Sequence, residues 1–174
     1  MKPLNPAIVA IQPSATLAIA ALSRQLKEQG RPVCDFSAGE PDFETPAFIK
    51  DAAIEALRAG KTKYTPAAGI ADLRQAVAAK LKRDNGLDYT PAQIVVSCGA
   101  KHSLALVFQT LLNPGDEVLV PSPFWLSYPE MIRVAGGVPR FLPATPAADF
   151  KITPGDIDRA VTTRTAALVV NSPC

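Results

Sequence analysis

The chain has 174 residues, of which 48% are hydrophobic and 20% charged, with a formal net charge of +2. That length holds one sizeable domain, and that composition buries a core. The near-balanced charge gives no reason to expect nucleic acid or a membrane surface as partner. No apolar run reaches the roughly 18 residues of a spanning helix, and the N-terminus lacks a charged-then-apolar secretion signal.

Three cysteines, Cys34, Cys98 and Cys174, are scattered and show no metal-ligand spacing. Reduced thiols in a cytoplasm are expected. The single histidine, His102, cannot build a histidine metal site. It reads as a solvated or packing residue in preference to a catalytic one.

In chain order, residues 1–13 read as an irregular arm, because Pro3, Pro6 and Pro13 limit helix there. Pro-Ser-Ala-Thr at 13–16 offers cap residues for a helix to about Gln29, with Ile19, Leu22 and Leu26 inward and Gly30 as the stop. Val33–Phe36 is a short strand candidate, and residues 37–43 form a loop. Thr45–Pro46 marks the start of a helix to Gly60, burying Ile49, Ala53 and Leu57. A loop centred on Tyr64 leads to a helix from Ile70 to about Asn85, with Leu73, Val77 and Leu81 at fourfold spacing.

Residues 94–128 organise the rest. Ile94–Val96 reads as a buried strand, followed by the turn Ser97–Cys98–Gly99–Ala100–Lys101. A helix to about Leu112 carries Leu104, Val107, Phe108 and Leu111 on one face, and Asn113–Pro114–Gly115–Asp116 stops it. Val118–Val120 is a second buried strand, ending at a loop with Trp125, the only tryptophan. Residues 127–135 predict a short helix, 138–142 a strand, 153–161 a helix and 166–170 a third buried apolar run. No internal repeat or low-complexity tract is present.

A strand, a small-residue turn and a helix together make an anion site. The first N–H groups of the helix lack intrahelical partners, and the helix dipole favours negative charge there. Gly99 and Ala100 let a phosphate approach the backbone, Ser97 and Ser103 offer hydroxyl donors, and Lys101 adds charge. An ordinary βα turn is the competing reading of the same residues.

Apolar strands alternating with helices from residue 94 onward predict a mostly parallel, doubly wound sheet. Ligands bind such sheets beyond the carboxyl ends of the strands, and Gly99, Trp125 and Asn171 all follow predicted strand ends.

Six motifs occur in order: Ser-Ala-Gly-Glu-Pro-Asp-Phe (37–43), Lys-Tyr-Thr-Pro-Ala-Ala-Gly (63–69), Gly-Ala-Lys (99–101), Asn-Pro-Gly-Asp-Glu-Val (113–118), Pro-Ser-Pro-Phe-Trp-Leu-Ser-Tyr-Pro (121–129) and Val-Val-Asn-Ser-Pro (169–173). Together they resemble the pyridoxal-phosphate-dependent aminotransferases of fold type I, most of all their bacterial aspartate aminotransferase branch. The resemblance runs from about Pro13 to Cys174.

The resemblance implies a three-layer α/β/α fold with a mostly parallel sheet. Residues 1–45 would be an N-terminal helical arm and small-domain segment. Residues 46–174 would be the N-terminal portion of the cofactor-binding large domain, truncated at its C-terminal side. It also implies the cofactor pyridoxal 5'-phosphate, an amino acid (aspartate foremost) and a 2-oxo acid as substrates, and a homodimer.

Position by position, Gly99, Ala100 and Lys101 match the cofactor-phosphate turn. Trp125 matches the aromatic that stacks on the pyridine ring and flanks the substrate. Tyr64 matches the tyrosine that reaches the phosphate in the other subunit. Gly39 matches the glycine lining the substrate carboxylate pocket, and Thr16 and Lys101 match positions that hold an acidic side chain. Read alone, Tyr64 and Trp125 are equally core or surface aromatics, Thr16 a cap and Gly39 a turn.

One departure counts. The family follows Asn-Ser-Pro within two residues by Asn-Pro-Thr-Gly, and this chain stops at Cys174. The Schiff-base lysine, the aspartate paired with the pyridine nitrogen and the arginine that clamps the substrate carboxylate all belong to later parts of the family's sequence. The expectation is an N-terminal fragment that is inactive alone. The alternatives are another fold type I enzyme, such as an aromatic transaminase or a β-lyase, or a non-catalytic fragment.

Overall fold

The computed structural model describes residues 2–11, 13–37 and 39–172. Cys174, Pro173 of the last motif and Ala38 of the first lie outside the described residues. The helices and strands are, in chain order, α1 (Pro6–Val9), α2 (Ala15–Glu28), α3 (Ala47–Arg58), α4 (Ala71–Asn85), α5 (Ala100–Leu111), β1 (Glu117–Ser122), α6 (Ser127–Val134), β2 (Val138–Pro143), α7 (Pro154–Ala160) and β3 (Thr165–Leu168). They divide into two compact units, Met1–Ser14 with Cys98–Cys174, and Ala15–Ser97.

The first unit holds the sheet. Among the described residues it has three parallel strands in the order β2–β1–β3. Leu119 lies opposite Arg140 on one side and Leu168 on the other. The central strand is therefore covered on both edges, and its Val118, Leu119 and Val120 are no more than 1% exposed. This is the continuous apolar run that a parallel strand with two covered faces demands. Phe108, Leu112, Val118, Val120 and Ile132 form the core, with Leu104, Tyr128 and Met131 packed against it.

The turn between α5 and β1 closes through Asp116. Its carboxylate accepts from the N–H of Asn113 at 2.8 Å, and its own N–H donates to the Asn113 carbonyl at 3.0 Å. The expected helices at 127–135 and 153–161 and the strands at 118–120, 138–142 and 166–170 are all present within a residue or two.

The helix after the turn presents a different face from the one expected. Phe108 and Leu112 are buried and Leu104 half-buried, a spacing of four, while Val107 and Leu111 are 46% and 55% exposed. The two patterns share Leu104 and Phe108, and only packing against β1 and α6 selects between them. The arm also differs from expectation. Residues Pro6–Val9 form one helical turn, because Asn5 caps it by accepting from the Ala7 N–H at 2.9 Å, and Pro6 at the first helical position needs no donor.

The second unit is helical. Its helices start and stop within two residues of expectation: α2 ends at Glu28, two before Gly30, α3 at Arg58, two before Gly60, and Gly86 is the C-cap of α4. Thr45 does not cap α3, whose N-cap is Pro46 with no side-chain hydrogen bond. The buried faces are corrected more heavily. Ile19 and Leu22 of α2 are more than half exposed, while Ser23 is buried. In α3, Ile49, Ala53 and Leu57 are exposed. In α4, Ala78 is buried and Val77 and Leu81 half-buried, but Leu73 is exposed.

Both predicted strands of this unit are absent. Val33–Phe36 and Ile94–Val96 form no strand ladder. A strand is defined by its neighbour, and here other groups satisfy the backbone: the Val96 N–H donates to the Ala68 carbonyl at 3.0 Å, and Arg74 Nε donates to the Ile94 carbonyl at 3.0 Å. Ile94 is buried, but Val95 is 65% exposed. Gly69 fits this contact alone, since its φ is +97° and a Cβ there would stand 2.7 Å from Val96 Cγ2.

Candidate functional site

The site begins at the N-terminus of α5. Gly99 is its N-cap residue, with φ 85° and ψ 169°, a conformation that L side chains rarely adopt. Beyond its own chain neighbours, nothing lies within 4 Å of where its Cβ would stand, so the turn opens onto free space. The first bond of the helix runs from the Ser103 N–H to the Gly99 carbonyl at 3.1 Å. The N–H groups of Ala100, Lys101 and His102 thus precede the intrahelical ladder and point beyond the helix end. The expected Ser103 hydroxyl donor instead bonds the Gly99 carbonyl at 3.3 Å. His102 Nδ1 accepts from the Cys98 N–H at 3.1 Å.

The structure brings Lys101 and Trp125 together. The ammonium lies 5.3 Å from the indole centroid, within cation–π range. Trp125 is 45% exposed and follows the end of β1. Gly99, Ala100, Lys101 and Trp125 therefore offer backbone donors, a cation and a flat aromatic within one unit. A phosphate carried on an aromatic ring fits this donor set: the small turn admits the anion, the helix end and Lys101 attract it, and the indole offers a stacking face.

A cavity of about 510 Å³ lies at the carboxyl ends of β1 and β3, with Ser122, Tyr128, Phe150, Lys151 and Asn171 among its lining residues. Asn171 is thus where strand-end reasoning placed it. Phe150 and Lys151 were not anticipated. Asp149 and Phe150 have φ values of 54° and 53°, and neither is a glycine, so nothing in the sequence marks the turn.

The remaining expected site residues sit in the helical unit. Thr16 is half-buried in the first turn of α2. Gly39 lies in the loop before α3, with open space around its Cβ position. Tyr64 is fully exposed in the loop between α3 and α4. Cys34 and Cys98 are free exposed thiols. Among the described residues, no group of three or more His, Cys, Asp or Glu side chains is placed to hold a metal, and no helix is long and apolar enough to cross a membrane.

A parallel sheet with a glycine-capped helix N-terminus and an aromatic beyond its strand ends defines a protein of the parallel α/β class. Residues 31–174 match the family of class I and II aminotransferases, and the chain belongs to that family. It is 49% identical over 166 residues to an aspartate aminotransferase of Geobacillus stearothermophilus, covering 95% of this chain and 42% of the relative. It is 50% identical over 173 residues to an aspartate/prephenate aminotransferase of Thermus thermophilus, covering 99% and 45%. The solved aspartate aminotransferase of Thermus thermophilus with maleate superposes with a TM-score of 0.95 at 49% identity, over 100% of this chain and 46% of that one. The chain thus shares the fold of these enzymes and spans less than half the length of the relatives it matches.

Proposed function

We propose that the protein is a pyridoxal-phosphate-dependent aminotransferase that moves the amino group of aspartate to a 2-oxo acid. The observation that carries this reading is the turn at Gly99, whose positive φ and open surroundings stand at a helix N-terminus beside Lys101 and Trp125 in a chain about 50% identical to aspartate aminotransferases. The bound cofactor supplies an electron sink for the substrate's α-carbon.

The residues of this chain supply the setting. Gly99, Ala100 and Lys101 bind the phosphate through backbone donors and charge. Trp125 stacks on the ring and keeps water from one of its faces. Gly39 lines the pocket for the substrate carboxylate, and Thr16 and Lys101 read an acidic side chain. Tyr64 serves the phosphate site of a partner subunit, so the reading includes a homodimer, and the cytoplasm as its compartment. Residues 1–45 then belong to the arm and small domain, and 46–174 to the large domain. A second reading rests on the names of relatives called aspartate/prephenate aminotransferase, and takes prephenate as a further amino-group acceptor.

The test is Gly99→Asp. It adds a carboxylate where the phosphate sits and forces a side chain into φ 85°. Titration with pyridoxal 5'-phosphate should show binding to the parent and none to the variant. Equal affinity in both would overturn the assignment.

A further inference from the structure

His102 stands outside the roles above, yet it holds the turn that they depend on. It is the third residue of α5, and its Nδ1 accepts from the backbone N–H of Cys98, the residue preceding the N-cap Gly99, at 3.1 Å. An accepting Nδ1 carries no proton, so the tautomer that makes this bond holds its proton on Nε2. The contact is a relative of the capping box, in which the third helical residue reaches back to the N-cap N–H. Here the reach extends one residue further and closes a loop around Gly99.

We propose that His102 is a positioning residue for the cofactor-phosphate turn: by tying Cys98 to α5 it fixes the backbone on both sides of Gly99 and holds the N–H groups of Ala100 and Lys101 at the phosphate. The inference rests on the reading of residues 99–101 as that turn. Physically, Gly99 brings the close approach but also the freedom of a residue without Cβ. A phosphate that met a loose turn would have to order it on binding, at a cost in affinity. The Ser103 hydroxyl and N–H both bond the Gly99 carbonyl, securing its C-terminal side. His102 secures the N-terminal side, which no helix bond reaches.

The experiment compares His102→Ala, His102→Asn, His102→Phe and the control Gly99→Asp in the full protein that carries this segment. The readouts are the dissociation constant for pyridoxal 5'-phosphate and the urea midpoint of the cofactor-free protein. The amide oxygen of Asn stands as many bonds from Cα as Nδ1 does, so it restores the acceptor, whereas Phe keeps a ring without one. The expected result is affinity weakened about fivefold in the Ala and Phe variants, the worth of one net hydrogen bond. Asn should bind within about twofold of the parent, and the urea midpoints should be unchanged, which a merely structural role would not give. If the Ala variant fails to fold, the Phe and Asn pair decides alone. Parent-like affinity in Ala or Phe, or Asn as weak as they are, overturns the role of His102 while Gly99→Asp still abolishes binding. If Gly99→Asp also binds normally, the phosphate-turn reading fails first.

Discussion

The two compact units obey the same local rules and differ in what those rules accomplish. In Cys98–Cys174, β1 is covered on both edges and its central residues are inaccessible. In Ala15–Ser97, α3 has good helix formers and a stop at Gly60, yet buries no residue. Helix existence follows from propensity and end signals a few residues long. A buried face requires a second layer, and the described residues of the helical unit provide little of one. The candidate site divides in the same way. Gly99, Lys101 and Trp125 are set by elements packed on the core, whereas Tyr64 and Gly39 lie on exposed loops.

The contrast is broken most directly by truncating one leucine in each unit. Leu119→Ala removes a side chain 1% exposed at the centre of the sheet and should cost about 2–5 kcal/mol. Leu57→Ala removes one that is 64% exposed on α3, where alanine is the better helix former, and should change stability by no more than about 0.5 kcal/mol. Urea unfolding measures both. A Leu57→Ala loss as large as that at Leu119 would show that the apolar face of α3 is covered in the assembled protein.

These residues also explain how much was legible beforehand. Val118–Val120 declared itself as a strand because a run of apolar, β-favouring residues bounded by Gly115 and Pro121 has few other uses. Ile94–Val96 is as apolar and is not a strand here, since a strand also needs a neighbour, which a local run of residues cannot declare. The glycine turn at the head of α5 was legible because Gly99 between an apolar run and a helix is a local signal. The cation–π pair of Lys101 and Trp125 was not, because the two residues come together only through the packing of α5 and β1. The Cys98–His102 bond lay within reach, at the spacing of one helical turn, but a lone histidine attracts a bland reading.

The next prediction sharpens the site half of the contrast. Lys101 holds its ammonium 5.3 Å from the Trp125 ring centroid and, on the proposed reading, meets an acidic substrate side chain. A charge-assisted hydrogen bond in a partly dry pocket contributes about 1.5–3 kcal/mol. In a full-length context, Lys101→Ala should therefore reduce kcat/KM for aspartate far more than for alanine or phenylalanine. In the 174-residue chain it should also shift the emission of Trp125, the only tryptophan there, which reports the loss of the ammonium directly. An emission shift with a uniform loss across substrates would mean that Lys101 serves the phosphate alone.

A smaller effect than at Leu119 or Lys101 is expected at α7, where a local signal acts with little help from packing. Asp156 accepts from the Thr153 hydroxyl and from the Thr153 N–H, both at 2.7 Å, and its own N–H returns a bond to the Thr153 hydroxyl at 3.2 Å. The Thr153 hydroxyl first, then its N–H, hold the Asp156 carboxyl below its ordinary value of 3.8, with the Arg159 charge adding to them. A carboxyl lowered by folding contributes stability that is fully present above its unfolded value and fades as the pH falls through the folded one. Asp35 in the helical unit follows the same logic, its carboxyl held well below the usual range chiefly by the Ser37 hydroxyl and N–H. Thr153→Ala should cost about 1 kcal/mol at neutral pH, the usual worth of a helix cap. That cost should shrink as the pH drops below about 4, because the charged acceptor that the hydroxyl serves is then neutralised in both proteins. Urea midpoints of parent and variant, measured from pH 7 down to the acid limb, give the comparison. A difference that stays constant across that range would mean that the hydroxyl acts through its bond from the Asp156 N–H and not through the carboxylate.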